Sequence, residues 1–254
     1  MNPMKILIAN WKMNPSSGKE AKALFEAESG LGRLKNIEVI ICPPACFLSL
    51  LGGSKSVKLG GQDLFWENPP AGGGAYTGEV SGKMLKDLGC EYVIVGHSER
   101  RNHAGETDEI INAKLKTALK SGLTPILCIG ERDGEEMSDV VASQIKKGLA
   151  DIGKNQLEEV IIAYEPVWAI STSGAGKECS PDNALSAAVF IRKILTEIYG
   201  NFLAQKAVVI YGGSVDAGNG PSYIKQSQMA GLLVGGASLE AEEFVKIGEA
   251  INNL

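Results

Sequence analysis

Short runs of apolar, β-branched residues alternate along the chain with longer stretches in which apolar positions return every three to four residues. The short runs predict strands at Lys5–Ala9, Glu38–Cys42, Lys58–Gly61, Tyr92–Val95, Pro125–Ile129, Val160–Tyr164, Val208–Tyr211 and Gly231–Val234. The longer ones predict helices at Lys19–Leu31, Cys46–Leu51, Gly82–Leu88, Asp108–Lys120, Met137–Leu149, Pro181–Tyr199, Pro221–Gln226 and Ala241–Ile251. Strands and helices taken strictly in turn predict an α/β fold in which the parallel strands close into a barrel ringed by helices; an open doubly wound sheet is the alternative. Several strand runs are continuously apolar, as expected of strands covered on both faces. The punctuation agrees: Gly89 and Gly122 follow helical runs as stops, and Ser180-Pro181 offers an N-cap with proline at the first helical position. The longest irregular stretch, Glu67 to Glu79, contains Pro69, Pro70 and three consecutive glycines, and its length predicts either a functional or partner-binding loop or a surface insertion.

Composition narrows the class. The 254 residues contain no repeat, charge block or linker, which predicts one domain spanning residues 1–254. With 25 Lys and Arg against 30 Asp and Glu, the net charge of −5 argues against nucleic acid and anionic membrane as partners. No stretch reaches the roughly 20 apolar residues of a membrane span, and the first ten residues lack a basic segment followed by an apolar one, so a soluble cytoplasmic protein is expected. The cysteines, Cys42, Cys46, Cys90, Cys128 and Cys179, are odd in number and irregularly spaced, which predicts reduced thiols. Cys42-Pro-Pro-Ala-Cys46 has no nearby third and fourth ligand, and no metal site is expected.

In a closed parallel barrel the chemistry gathers where the strands end. Asn10-Trp11-Lys12 follows the first predicted strand, Gly96-His97-Ser98-Glu99 the fourth, Glu165 the sixth, Gly212-Gly213-Ser214 the seventh and Gly235-Gly236 the eighth. Taken singly, each has an ordinary structural reading: a solvated lysine, a hydrogen-bonded histidine, a tight turn. Convergence on one mouth is what favours function. Backbone N–H groups at Gly213-Ser214 and Gly235-Gly236 could face an anion, whereas Gly52-Gly53 and Gly60-Gly61 read as tight turns. Glu165 is a candidate base, Pro166 stops its strand, Trp168 gives the next segment an apolar anchor, and the small residues from Ser171 to Gly176 suit a lid. Gly176-Lys177 does not complete a nucleotide P-loop, because Ser171 stands where the first glycine is required and Glu178 comes directly after the lysine.

Seven segments together resemble the triosephosphate isomerase family over essentially the whole chain: Asn10 to Asn14, Gly74 to Glu79, Val95 to Arg101, Leu127 to Glu131, Ala163 to Ile170, Tyr211 to Ser214 and Leu233 to Ser238. The resemblance implies a (β/α)8 barrel that interconverts dihydroxyacetone phosphate and glyceraldehyde 3-phosphate, in glycolysis and gluconeogenesis, without metal or organic cofactor. Glu165 matches the proton-carrying base, His97 the carbonyl-polarising electrophile, and Lys12 the cation that offsets substrate and enediolate charge. A neutral histidine is implied too, and this family is itself the reference example of that arrangement. Asn10 would orient Lys12 and substrate oxygens, Glu99 would stand beside the lysine, and Ser98 would open a helix after His97. Ser171, Ser214, Gly235 and Gly236 would hold the phosphate, the 167–177 region would close over it, and Tyr211 would steady the closed lid. A homodimer is implied, with Thr77 at the tip of the loop that enters the partner.

Three departures stand out. The lid is longer than the family pattern and carries Ser171 in place of a glycine; Asn68 to Gly73 is extra; and Ala104 replaces a common aromatic, predicting looser packing beneath the His97 loop. They leave two rival readings, a weakened barrel that only binds phosphometabolites and another phosphosugar isomerase or epimerase.

Overall fold

All eight predicted strands are present, and they pair in parallel in chain order until the last returns to the first. A computed structural model describes residues 4–52, 56–67, 69, 74–170 and 177–254. Strands β1 (Lys5–Asn10), β2 (Ile37–Cys42), β3 (Lys58–Gly61), β4 (Cys90–Val95), β5 (Thr124–Ile129), β6 (Ile161–Tyr164), β7 (Val208–Tyr211) and β8 (Gly231–Val234) form a closed barrel. Closure is carried by β8 against β1, with Ile6 opposite Gly231 and Ala9 opposite Val234. The open-sheet alternative is therefore excluded.

Alternation along each strand sorts the side chains into two apolar layers. Ile8, Ile40, Cys42, Ile94, Ile126, Cys128, Ile161, Ala163, Ile210 and Leu233 form one buried cluster. Their sequence neighbours, among them Leu7, Ala9, Ile41, Val95, Leu127, Ile162, Tyr164 and Tyr211, belong to a second cluster shared with the helices. Both layers are buried, which is why several strands read as nearly continuous apolar runs. The same two-residue period continues past the strand ends. It sends Asn10 after Ile8, Glu165 after Ala163, Gly212 after Ile210 and Gly235 after Leu233 to the mouth, and Trp11 after Ala9 outward.

The helices are α1 (Gly18–Ser29), α2 (Leu48–Leu51), α3 (Gly82–Asp87), α4 (Ser98–His103), α5 (Asp108–Lys120), α6 (Met137–Gly148), α7 (Lys154–Leu157), α8 (Pro181–Tyr199), α9 (Asn201–Lys206), α10 (Gly220–Lys225) and α11 (Ala241–Asn252). Ser180 caps α8 by accepting from the Asn183 N–H at 3.2 Å, and Gly89 and Gly122 stop their helices at φ of +86° and +71°. The turn expected at Gly60-Gly61 is not there. Both residues lie inside β3, where a Cβ on Gly60 would fall 2.6 Å from Cys42 Sγ and one on Gly61 2.7 Å from Leu85 Cδ1. These glycines make room for neighbours rather than bend the chain. Gly53 of the other expected turn lies outside the described residues, as does the Asn68 to Gly73 insertion apart from Pro69. Among the described residues no helix is long and apolar enough to cross a membrane, and all five cysteines are free.

Candidate active site

The first wall is built by the exit from β1. Asn10 Oδ1 accepts from the Lys12 N–H at 3.0 Å and draws the chain into a tight turn, with Lys12 at φ +54°. A lysine in the left-handed region costs on the order of 1 kcal/mol or more and persists only where its surroundings impose it. They do so here: the Trp11 N–H donates to Cys42 O at 3.2 Å, and Gln62 Nε2 donates to Lys12 O at 2.7 Å and to Cys42 O at 2.9 Å. The lysine ammonium reaches Glu99 Oε1 at 2.7 Å. Gln62 escaped the sequence reading, although it is the first residue after β3 and the rule applied to the other strand ends would have found it.

The second wall is the β4 exit. His97 is the N-cap of α4, and its Nδ1 accepts from the Glu99 N–H at 3.2 Å. A ring nitrogen that accepts carries no proton, which assigns the neutral ring's proton to Nε2. That Nε2 faces Glu165 Oε1 at 3.3 Å, while Glu165 Oε2 accepts from the Ser98 N–H at 3.4 Å. Glu165 is 2% exposed, and small residues admit it: a Cβ on Gly212 would lie 2.9 Å from Glu165 Cγ, and one on Gly130 1.8 Å from Glu165 O. Cys128, nearby on the barrel axis, has its thiol pushed well up, by burial first and by the Glu165 charge second. Ala104 is exposed at the end of α4 rather than packed beneath His97, so the predicted loosening there does not arise.

Gly212, Gly213, Ser214, Gly235 and Gly236 form the third wall, and with Asn10, Lys12, His97 and Glu165 they line one cavity of about 300 Å³. Ser214 differs from expectation in one respect. Its backbone N–H already donates to Ala169 O at 3.0 Å, so the hydroxyl is what Ser214 has left to offer an anion. Tyr211 is wholly buried and stacks on Tyr223 at 3.9 Å. Its hydroxyl lies 2.2 Å from where a Gly213 Cβ would be and is pushed well up chiefly by burial. Ser171 and the remainder of the expected lid to Gly176 lie outside the described residues. The flanks of that segment are both tied to the loop after β5. Trp168 Nε1 donates to Glu131 Oε1 at 2.7 Å, the Tyr164 hydroxyl donates to the same carboxylate at 3.0 Å, and Lys177 Nζ donates to Asp133 Oδ1 at 2.6 Å. Glu131 belongs to a motif visible in the sequence, but nothing there pointed to this anchoring contact.

A carboxylate that can take a proton, an imidazole N–H that can give one and an ammonium to balance negative charge are what a proton shift between adjacent carbons needs. A closed (β/α)8 barrel that gathers them at its mouth, beside glycine-rich backbone, belongs to the class of sugar-phosphate isomerases. The comparisons name the particular one. A family model described as Triosephosphate isomerase matches residues 5–251. Proteins named Triosephosphate isomerase include one from Dictyoglomus thermophilum, 43% identical over 96% of this chain and 98% of its own length. Others are from Endomicrobium trichonymphae, 42% identical over 95% and 96%, and Fusobacterium nucleatum, 42% identical over 97% and 98%. The chain belongs to the triosephosphate isomerase family and interconverts dihydroxyacetone phosphate and glyceraldehyde 3-phosphate, a step of glycolysis.

Proposed function

We propose that Glu165, His97 and Lys12 carry this interconversion on a single barrel unit, without metal or organic cofactor. Glu165 takes the proton from the carbon beside the substrate carbonyl and returns it to the neighbouring carbon. His97 Nε2–H donates to the oxygen that becomes negative in the enediolate, and the Lys12 ammonium offsets that charge and the phosphate's. Asn10 and Glu99 aim the lysine, and the Ser98 N–H holds the carboxylate of Glu165 until substrate displaces it. Ser214, Gly235 and Gly236 face the phosphate together with Ser171, and closure of the 167–177 region, steadied by Tyr211, keeps water from the enediolate.

The observation that carries this reading is the 3.3 Å approach of His97 Nε2 to Glu165 Oε1 at the cavity wall, with Nδ1 occupied by the Glu99 N–H. A planar substrate that displaces the carboxylate from this contact would meet a donor at its oxygen and a base at its carbon. Replacing His97 by alanine is expected to lower kcat by about 10²- to 10³-fold, the usual loss of one oxyanion donor, with KM changed far less. A coupled assay with glyceraldehyde 3-phosphate measures this, and an unchanged kcat would remove His97 from the reaction.

We also infer a cytoplasmic homodimer. Thr77 lies exposed in the turn between Tyr76 and Gly78, and beside Lys12 runs a groove of about 360 Å³ lined by Met13, Pro44, Gln62, Asp63 and Arg100. Met13 is 93% exposed there. In this reading the Thr77 loop of a second copy occupies this groove. Light scattering should give twice the chain mass, and a monomer at full activity would refute the pairing.

A further inference from the structure

Behind the lysine turn lies a carboxyl group that the chemistry above does not use. The Trp11 side chain is wholly buried, and its outward position at the β1 exit turns the indole away from the cavity and toward α1. Its Nε1–H donates to Glu28 Oε2 at 3.2 Å. Glu28 occupies the core face of α1 with Ala21 and Phe25, a position that helical periodicity normally reserves for an apolar residue. It too is wholly buried, and its other oxygen, Oε1, has no hydrogen-bond partner among the described residues. Glu28 lines neither of the cavities described above.

We propose that Glu28 is a positioning residue for the catalytic lysine: by holding the Trp11 indole from behind, it keeps in place the turn that presents Lys12 to the cavity. The backbone of that turn is already secured by Asn10, Gln62 and Cys42, yet Lys12 sits at φ +54° and relaxes if its neighbour is free to move. Trp11 adjoins Lys12 in the chain, and its ring is packed in the apolar core with its one polar atom bonded to Glu28. Without an acceptor, the buried indole N–H would be orphaned and the ring would gain by turning toward any other acceptor, drawing the lysine with it.

The chemistry of the pin suits this role. Burial pushes the Glu28 carboxyl up to about 8, opposed only by the indole hydrogen bond, and no charged group on a neighbouring element contributes to the shift. At neutral pH the group is mainly the uncharged acid, the form that a dry interface tolerates. The unfolded chain releases this proton near the ordinary value of 4.5, so the folded state holds it longer. The contribution of Glu28 to stability is then complete below about pH 4.5 and declines as pH rises through 8.

The inference rests on the role given to Lys12 above, and the test separates the two. Glu28→Leu fills the space and removes the acceptor; it should lower kcat/KM by about 10- to 100-fold, the scale of a small misplacement of a reacting group. Glu28→Gln keeps an acceptor and should stay within about threefold of wild type. In protein labelled with 5-fluorotryptophan, the Trp11 resonance, assigned by its loss in Trp11→Phe, should move with a midpoint near pH 8 in wild type and hold still in Glu28→Gln. Should Glu28→Leu fail to fold, Trp11→Phe, which keeps a ring but not the donor, should show the same loss of kcat/KM. Wild-type kcat/KM in whichever of these two variants folds, or a pH-dependent Trp11 resonance in Glu28→Gln, overturns the proposal. If Lys12→Met is inactive while Glu28→Leu is normal, only the positioning role fails; if Lys12→Met is active, the reading beneath it fails.

Discussion

Glu165→Ala is expected to lower kcat by about 10³- to 10⁴-fold, the upper range for removal of a positioned general base, with KM close to wild type. The reason is local. Glu165 lies 2% exposed at the cavity wall, with His97 Nε2 3.3 Å from one carboxylate oxygen and the Ser98 N–H donating to the other, and its truncation leaves no carboxylate on the cavity lining among the described residues. Water fills the gap, but water is far too weak a base for a carbon acid. Glu165→Asp should fall between alanine and wild type, because shortening the side chain by one methylene displaces the carboxylate by an amount that typically costs about 10²-fold. The ranking wild type, Asp, Ala should appear in the coupled assay and in deuterium uptake at carbon when the reaction runs in D2O. Alanine retaining a tenth of the wild-type kcat would place the base elsewhere.

Lys12→Met should reduce kcat/KM by about 10³-fold or more while leaving the circular dichroism spectrum unchanged. A unit charge about 4 Å from another, near a protein surface, is worth roughly 4 kcal/mol, which corresponds to about three powers of ten in rate. Unlike the loss at Glu165, this one should be divided between KM and kcat, since the ammonium attracts the bound phosphate as well as the enediolate. Methionine keeps the apolar stem but leaves Glu99 Oε1, 2.7 Å from the lost nitrogen, facing an incoming anion. Normal turnover in this variant would end the electrostatic role of Lys12. Partial rescue by Lys12→Arg would indicate that charge matters more than shape, because the longer, planar guanidinium cannot reproduce the present geometry.

Several elements were legible before the fold was known. The bounds of β3, β7, β8, α5 and α8 match those predicted; β7 and β8 are short apolar runs, and α5 and α8 carry a full apolar period with a clear stop or start at Gly122 and Ser180-Pro181. The short helices α4, α7 and α9 are absent from the predicted set: Ser98–His103 is all polar and charged, and Lys154–Leu157 has one apolar residue. Among the site residues, Asn10, Lys12, His97, Glu165, Ser214, Gly235 and Gly236 were found by position and do line one cavity. Gln62 was missed through incomplete use of the strand-end rule. The Ala169 contact that occupies the Ser214 amide could not have been read at all, since it joins the exits of β6 and β7 through a turn that neither segment encodes alone.

The sequence by itself determined the order of strands and helices, the class of fold and the chemical identity of the groups that meet at the mouth. Those come from local periodicity, turn chemistry and the rule that parallel barrels work at their strand ends. Only the tertiary structure decided which partner each group has. It set Nδ1 of His97 on the Glu99 N–H, Lys12 in a left-handed turn and Glu28 beneath Trp11, because burial and hydrogen-bond geometry depend on residues far apart in the chain. Glu28 shows the difference most plainly: along α1 it is one acidic residue among several, and only the packing of α1 against the β1 exit makes it a buried acid behind Lys12.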